Sequence, residues 1–292
     1  MIAQPLLRLP RLALAGVLLA SYALLASPAL PAQATVITVT TTSDDVTSNG
    51  NCTLREAIIA ANTNSAVDAC PAGSGADTIT LPAGTFTLTI PGTSENLAST
   101  GDLDIYDDLT IIGASATTTI VDGGGIDRVL EIYDDAVVHI TRLAVTGGNQ
   151  TAAGAMIRLA GTAQLTLSVV RLYGAPSGVS YALYQLTGTT LTVQSSLIED
   201  NLSGGLYTQA GSTTTIRNAT ISGNTATNGA GLSSAGTLVV VNSTFSGNSA
   251  SFNGGGLFLG GASDLNNITV VNNTAGTSGT NGNGGGIDAT SA

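Results

Sequence analysis

A pattern that returns every 23 to 27 residues constrains this chain of 292 residues more than any other feature. Its clearest copy reads Leu238-Val239-Val240-Val241-Asn242-Ser243-Thr244-Phe245-Ser246-Gly247-Asn248 and closes on Gly254-Gly255-Gly256-Leu257. The copy before it places Asn218, Ile221 and Asn224 where Asn242, Phe245 and Asn248 stand, and ends on Gly229-Ala230-Gly231-Leu232. Further upstream, Leu191, Val193, Ile198 and Asn201 lead to Gly204-Gly205-Leu206, and Leu165, Leu167, Val170 and Leu172 carry the pattern back to Val138, Ile140, Leu143 and Val145. Downstream come Asn267-Ile268-Thr269-Val270-Val271-Asn272-Asn273 and a last glycine run before Ile287. A unit this short cannot bury its apolar face alone and does so only by stacking on its neighbours, so the chain is a solenoid.

Residue chemistry selects the kind of solenoid. The units alternate Val, Ile, Leu and Thr with Thr, Ser and Asn in runs of three to six, punctuated by Gly and Asn, which excludes helical repeats. Each unit holds about three short strands at ~3.3 Å per residue, and Asn and Gly supply the positive-φ corners. Stacked units pair equivalent strands in parallel, ~4.8 Å apart. The expected fold is an all-β, right-handed parallel β-helix, the hand following from the rule for parallel crossovers. Asn218, Asn242 and Asn267 are expected to stack at one corner, with their amides bonded along the axis.

The N-terminal 34 residues carry Arg8 and Arg11, an apolar run from Leu12 to Leu25, and Ala32-Gln33-Ala34 in the form of a cleavage site. This is the plan of a secretory signal peptide; a membrane anchor would need ~20 uninterrupted apolar residues, and Ser21, Ser27, Pro28 and Pro31 break the run. Removing it would leave six arginines, no lysine and 19 acids, a formal charge near −13, which makes nucleic acid and anionic membranes poor partners. The expected organisation is a signal peptide at 1–34, an N-terminal cap at 35–76, and β-helix repeats at 77–292. The repeats end in mid-repeat just after Ile287, as in a fragment or an end covered by another subunit.

Within the cap, Thr53-Leu54-Arg55-Glu56 fits a capping box, and the helix that it starts puts Leu54, Ile58 and Ala61 on one face. Such a helix closes the open end of the apolar core and blocks edge-to-edge pairing of the first coil. Cys52 and Cys70, the two cysteines of the chain, flank it, and in an exported protein a disulfide is expected between them.

Cys52-Thr53-Leu54-Arg55-Glu56-Ala57-Ile58, preceded by the pair Asp44-Asp45, resembles the motif of bacterial CSLREA-domain proteins, with Thr53 in place of serine. Phe245-Ser246-Gly247-Asn248 with Gly255-Gly256-Leu257 resembles the FxxN and GG[ALVI] repeats of polymorphic outer-membrane proteins, Ile198, Ile221 and Val270 replacing the Phe in other copies. The resemblance implies a pectin-lyase-like right-handed β-helix, exported to the cell surface, outer membrane or medium. It also implies adhesion or envelope roles with surface glycans or proteins as partners, and it brings no catalytic residues to carry over.

One constellation could carry chemistry. Asp104-Ile105-Tyr106-Asp107-Asp108 returns as Glu131-Ile132-Tyr133-Asp134-Asp135, 27 residues on, which is one coil. Stacked carboxylates ~5 Å apart repel by about 1 to 3 kcal/mol per pair, which a cation would relieve, and an all-oxygen set suits Ca²⁺. The competing reading is that these are solvated turn acids. His139 lies between Val138 and Ile140 and points outward by alternation, with no Ser or Cys partner identifiable. Tyr173, Tyr181, Tyr184 and Tyr207 either line a sugar-binding face or are ordinary surface aromatics. Two functional classes follow: a non-enzymatic β-helix that presents a polar wall for adhesion or envelope binding, and a polysaccharide lyase or hydrolase working along one face. A calcium-dependent lyase needs an arginine on the same wall as its acids, drawn from Arg128, Arg142, Arg158, Arg171 and Arg217. Asn-Thr-Asp, Gly-His and Arg-x-Lys signatures are missing, which favours the first class.

Overall fold

The computed structural model describes residues 34–93, 95–279 and 282–290, so nearly all of the expected signal peptide lies outside the described residues. Each coil lays down three strands. Leu109–Ile112 is followed by Thr119–Asp122 and Leu130–Ile132, and Val137–Thr141 then returns to pair in parallel with Leu109–Ile112. Repetition builds three long parallel sheets of nine, eight and eight strands, here called the first, second and third in the order the chain visits them, beside a two-stranded parallel pair, Thr225–Ala226 with Ser249–Ala250. The fold is the expected right-handed parallel β-helix.

The repeat spacing read from sequence is the observed register. On the second sheet Val145, Leu172, Ile198, Ile221, Phe245 and Val270 stand in line, each the partner of the next. All but Val270 are buried, and each contributes about 1.5–3 kcal/mol by leaving water. On the first sheet a polar rung, Thr214, stands buried between Leu191 and Leu238. Its hydroxyl donates to Gln185 Oε1 at 2.6 Å, and the Gln185 amide donates to the carbonyls of Thr189 and Thr213, so the inward polar groups are satisfied.

The glycine runs have a steric cause. A Cβ on Gly231 would lie 2.5 Å from the Gly256 carbonyl oxygen and 3.0 Å from Asn248 Nδ2, so coils can approach here only without side chains. At the neighbouring corner Asn218, Asn242 and Asn267 share the left-handed conformation at φ 51°, and Asn267 donates to Asn242 Oδ1 at 2.7 Å, as expected of stacked corner asparagines.

The cap is built as the sequence suggests, with one addition. Helix Leu54–Thr63 opens on a complete capping box, Thr53 Oγ1 accepting from the Glu56 N–H at 3.1 Å and Glu56 Oε2 from the Thr53 N–H at 3.0 Å. Leu54, Ile58 and Ala61 are buried, and Cys52 and Cys70 are bridged. The addition is Arg55, wholly buried, whose guanidinium grips Asp44 through Nε at 2.6 Å and Nη2 at 3.2 Å. It also donates to the carbonyls of Ala98 and Gly101 at 2.9 Å each, tying the cap to the loop before strand Leu103–Ile105.

Candidate functional site

Strands of the third sheet are three residues long, with the outer two residues directed inward, so each coil offers one outward position. Register puts Asp104, Glu131, Arg158, Tyr184, Tyr207, Ser233, Phe258 and Asp288 on that single line. Chemistry changes along it from acids through an arginine to tyrosines, at ~4.8 Å per step.

At the acidic end the side chains are covered. Asp104 is wholly buried, with Oδ2 accepting the Ala98 N–H at 3.0 Å and Oδ1 unpartnered. Glu131 is held by two guanidiniums, Arg128 and Arg158. Arg128 Nη1 also reaches Asp102 Oδ2 at 2.9 Å, and its Nε donates to the Gly154 carbonyl at 3.0 Å. Burial pushes the Asp104 carboxyl up to about 8, helped by the charge of Asp102 and opposed by the Ala98 N–H. Burial also lifts Asp102 to about 6 against the pull of Arg128. Tyr106 and Tyr133 stack beside this group, centroids 4.9 Å apart, and burial raises both phenols further. A cleft of about 170 Å³ opens here, lined by Glu131, Arg158, Asp127, Gln150 and Glu95 among others.

The expected acidic ladder is therefore formed in part. Asp104 and Glu131 are brought together as register partners, and Asp102, not foreseen, joins them with carboxylate oxygens all within 4.8 Å. Asp107, Asp108, Asp134 and Asp135 stay outside that group. The reason is a change of register: Ile105 pairs with Ile132 at a spacing of 27, but Leu109 pairs with Val138 at 29, so the second turn carries two more residues. Asp108 Oδ1 instead accepts the Val137 N–H at 2.8 Å, Asp107 accepts from Asn64 at 3.2 Å, and Asp134 and Asp135 are exposed. Asp102, Asp104 and Glu131 are the residues that could hold a cation, yet Arg128 and Arg158 already supply the positive charge that stacked carboxylates require.

Further along the line the wall opens. Tyr184 and Tyr207 stack at 4.5 Å, and Tyr181 leans on Tyr207 at 5.4 Å with a 46° tilt. The Tyr181 hydroxyl donates to the Asn228 carbonyl, two coils on. Gly204 makes this crossing possible: at φ +97°, a Cβ on it would stand 2.5 Å from the Tyr181 ring. The three rings border a cleft of about 560 Å³. Tyr173 stands apart on the second sheet under Arg171, whose Cζ lies 4.0 Å from its ring centroid and whose Nε meets Glu199 at 2.6 Å. His139 is exposed on the first sheet between Thr110 and Thr166. Of the arginines named from sequence, Arg128 and Arg158 stand with the acids, but their pairing with Glu131 was not foreseen; a three-residue spacing for Arg128 and a 27-residue spacing for Arg158 were the signals available.

Parallel three-sheet coiling with one chemically graded outward line along the third sheet defines a parallel β-helix. Residues 129–291 match the family model of the right-handed β-helix region, more than half of the chain, and the protein belongs to that family. No curated protein and no solved structure gives a significant match.

Proposed function

We propose that this protein is an exported, non-enzymatic β-helix of the bacterial cell surface or secretome, and that it binds envelope or surface partners, glycans foremost, through the outward wall of the third sheet. One observation carries the reading: the acids best placed for chemistry are spent on structure, Asp104 being wholly buried and Glu131 gripped by Arg128 and Arg158. Both Glu131 oxygens are engaged by guanidiniums, and the Asp104 carboxyl lies out of reach of a substrate in the cleft. Export is supported by the signal-like N-terminus, by the resemblance to CSLREA-domain and polymorphic outer-membrane proteins, and by the disulfide, which belongs to an oxidising compartment. The wall's dearth of unpaired cations and the acidic chain argue against polyanionic partners.

A hydrolase is the second reading, favoured by one feature: three carboxyls within 4.8 Å, one of them protonated near neutral pH, is a composition that glycosidases use. Incubation of the secreted protein with neutral and acidic polysaccharides, with and without Ca²⁺, separates the two. The binding reading expects no new reducing ends and no unsaturated products. Turnover that disappears in Glu131→Gln or Asp102→Asn would replace it with the hydrolase or lyase reading.

A further inference from the structure

The cleft at the tyrosines differs from the rest of the wall in a way that selects a ligand. Every residue lining its 560 Å³ is uncharged, and hydroxyls dominate the polar part: Ser180, Ser203, Thr225, Thr227 and Ser251 beside the three phenols. That volume falls in the range of small-ligand sites, ~300–1,000 Å³. The sheet's own N–H and C=O groups are consumed between coils along the axis, as in Leu183↔Leu206 and Leu206↔Leu232, so a peptide cannot add to this face as a strand. Recognition here falls to rings and hydroxyls. Tyrosine joins an apolar ring to a polar tip, which matches a molecule with CH-rich faces and hydroxyl edges.

Resting on the binding reading above, we infer that the cleft bordered by Tyr181, Tyr184 and Tyr207 is a site for a neutral, linear carbohydrate. The sugar's CH face lies against the tyrosine cluster, and its hydroxyls bond to the serines and threonines of the loops that lead into the third sheet. A uronate or other anionic sugar has no counter-charge in the cleft; Arg158, the nearest cation on the outward line, is committed to Glu131. The ligand runs along the solenoid axis, since the next outward positions, Ser233 and Phe258, continue the line with one small and one aromatic residue.

The chain has no tryptophan, so its intrinsic fluorescence comes from tyrosine, and Tyr181, Tyr184 and Tyr207 at this cleft emit alongside Tyr106, Tyr133 and Tyr173, which lie elsewhere. Titration of the mature protein with cellohexaose, mannohexaose, chitohexaose and hexagalacturonate, followed by tyrosine emission and calorimetry, tests the inference. At least one neutral hexasaccharide is expected to bind, and hexagalacturonate is not. Tyr184→Ala and Tyr207→Ala should each weaken binding at least ten-fold, while Tyr173→Ala, on another face, leaves it unchanged. Ser203→Trp, which fills the cleft from the loop side and leaves the tyrosines themselves unaltered in sequence, should also block it, and circular dichroism checks that each variant keeps its fold. Binding of hexagalacturonate alone, no binding of any neutral probe, or neutral binding untouched by both tyrosine variants and by Ser203→Trp would each overturn the site. Retention of the protein on envelope material in the last case would leave the broader binding function standing, whereas sugar turnover would remove that function instead.

Discussion

The side-chain amide of Asn224 donates to Oδ1 of Asn248 at 2.9 Å, and the same oxygen accepts the Asn224 backbone N–H at 3.0 Å. The arrangement repeats from Asn201 to Asn224 and from Asn248 to Asn273. Each amide also donates backward to a carbonyl of the preceding coil, Asn224 to Ile198 at 3.1 Å and Asn248 to Ile221 at 2.9 Å. Four asparagines thus close the turns where the chain leaves the second sheet, out of contact with water for all but the last. Side-chain amides suit the place because each has both a donor and an acceptor to hand on.

Replacing one of them with alanine strands buried groups on both sides. Asn248→Ala should cost about 2–4 kcal/mol in chemical denaturation, since each orphaned buried group costs about 1–3 kcal/mol. Asn242→Ala, at the exposed corner, should cost less than half as much. Equal losses for the two variants would show that the buried ladder is not a source of stability.

The Arg55–Asp44 pair predicts a second effect. Removing one partner of a buried ion pair leaves a charge with no compensation, so Arg55→Met should destabilise the cap by about 3–5 kcal/mol. Asp44 Oδ2 also accepts the N–H groups of Thr89 at 2.6 Å and Ile90 at 3.1 Å, so the loss should spread to that segment. Hydrogen exchange is the appropriate readout: protection at 89–102 should fall sharply while strands such as Thr213–Arg217 keep theirs. Unchanged protection at 89–102 would contradict the clip.

Cross-linking Cys52 to Cys70 closes a loop across the helix, with a sequence separation of 18. Constraint of the unfolded chain by a loop of this size is worth about 3 kcal/mol. Cys52→Ser with Cys70→Ser should lower stability by that order, and the secreted wild type should yield the cross-linked peptide by mass spectrometry without reductant. Free thiols in the secreted protein would be incompatible with this geometry.

The pH dependence follows from the buried acids. Folding raises the carboxyls of Asp104 to about 8 and Asp102 to about 6, each from 3.8, so between those values the folded state binds protons that the unfolded state has released. Their contribution is fully present below about pH 4 and is lost as pH rises through 6 and then 8, by up to about 1.4 kcal/mol per pH unit for one group. Melting temperature should therefore fall between pH 5 and pH 8. Asp104→Asn, neutral at every pH, should flatten the slope; a variant with the wild-type slope would assign the pH dependence elsewhere.

Most of the fold was legible because a solenoid writes its register into the spacing of its apolar residues. The pairs Ile198↔Ile221, Ile221↔Phe245 and Phe245↔Val270 could be read at 23, 24 and 25 before any coordinates were known. Asparagines were harder. Two recur per coil, and sequence did not show that the series Asn201, Asn224 and Asn248 is the buried one, whereas Asn218, Asn242 and Asn267 are exposed in the left-handed conformation. The acidic site was half legible for the same reason that the fold was. Spacing of 27 paired Asp104 with Glu131, but the two extra residues after Ile132 carried Asp134 away, and no periodic signal marks Arg128 or Asp102 as their partners. Three of the four tyrosines converge because 181, 184 and 207 fall near one outward line, whereas Tyr173 belongs to the second sheet.

Partners are expected to meet the outward wall of the third sheet and no other face. Co-sedimentation of the mature protein with bacterial envelope fragments and insoluble polysaccharides tests it, comparing single charged substitutions on two faces. Ser233→Arg and Phe258→Arg lie on the third sheet's outward line, and Thr192→Arg and Thr215→Arg lie on the outward face of the first. The wall predicts at least a ten-fold loss of retention for the first pair with none for the second. Equal retention of all four variants, or loss confined to the first-sheet pair, would contradict it.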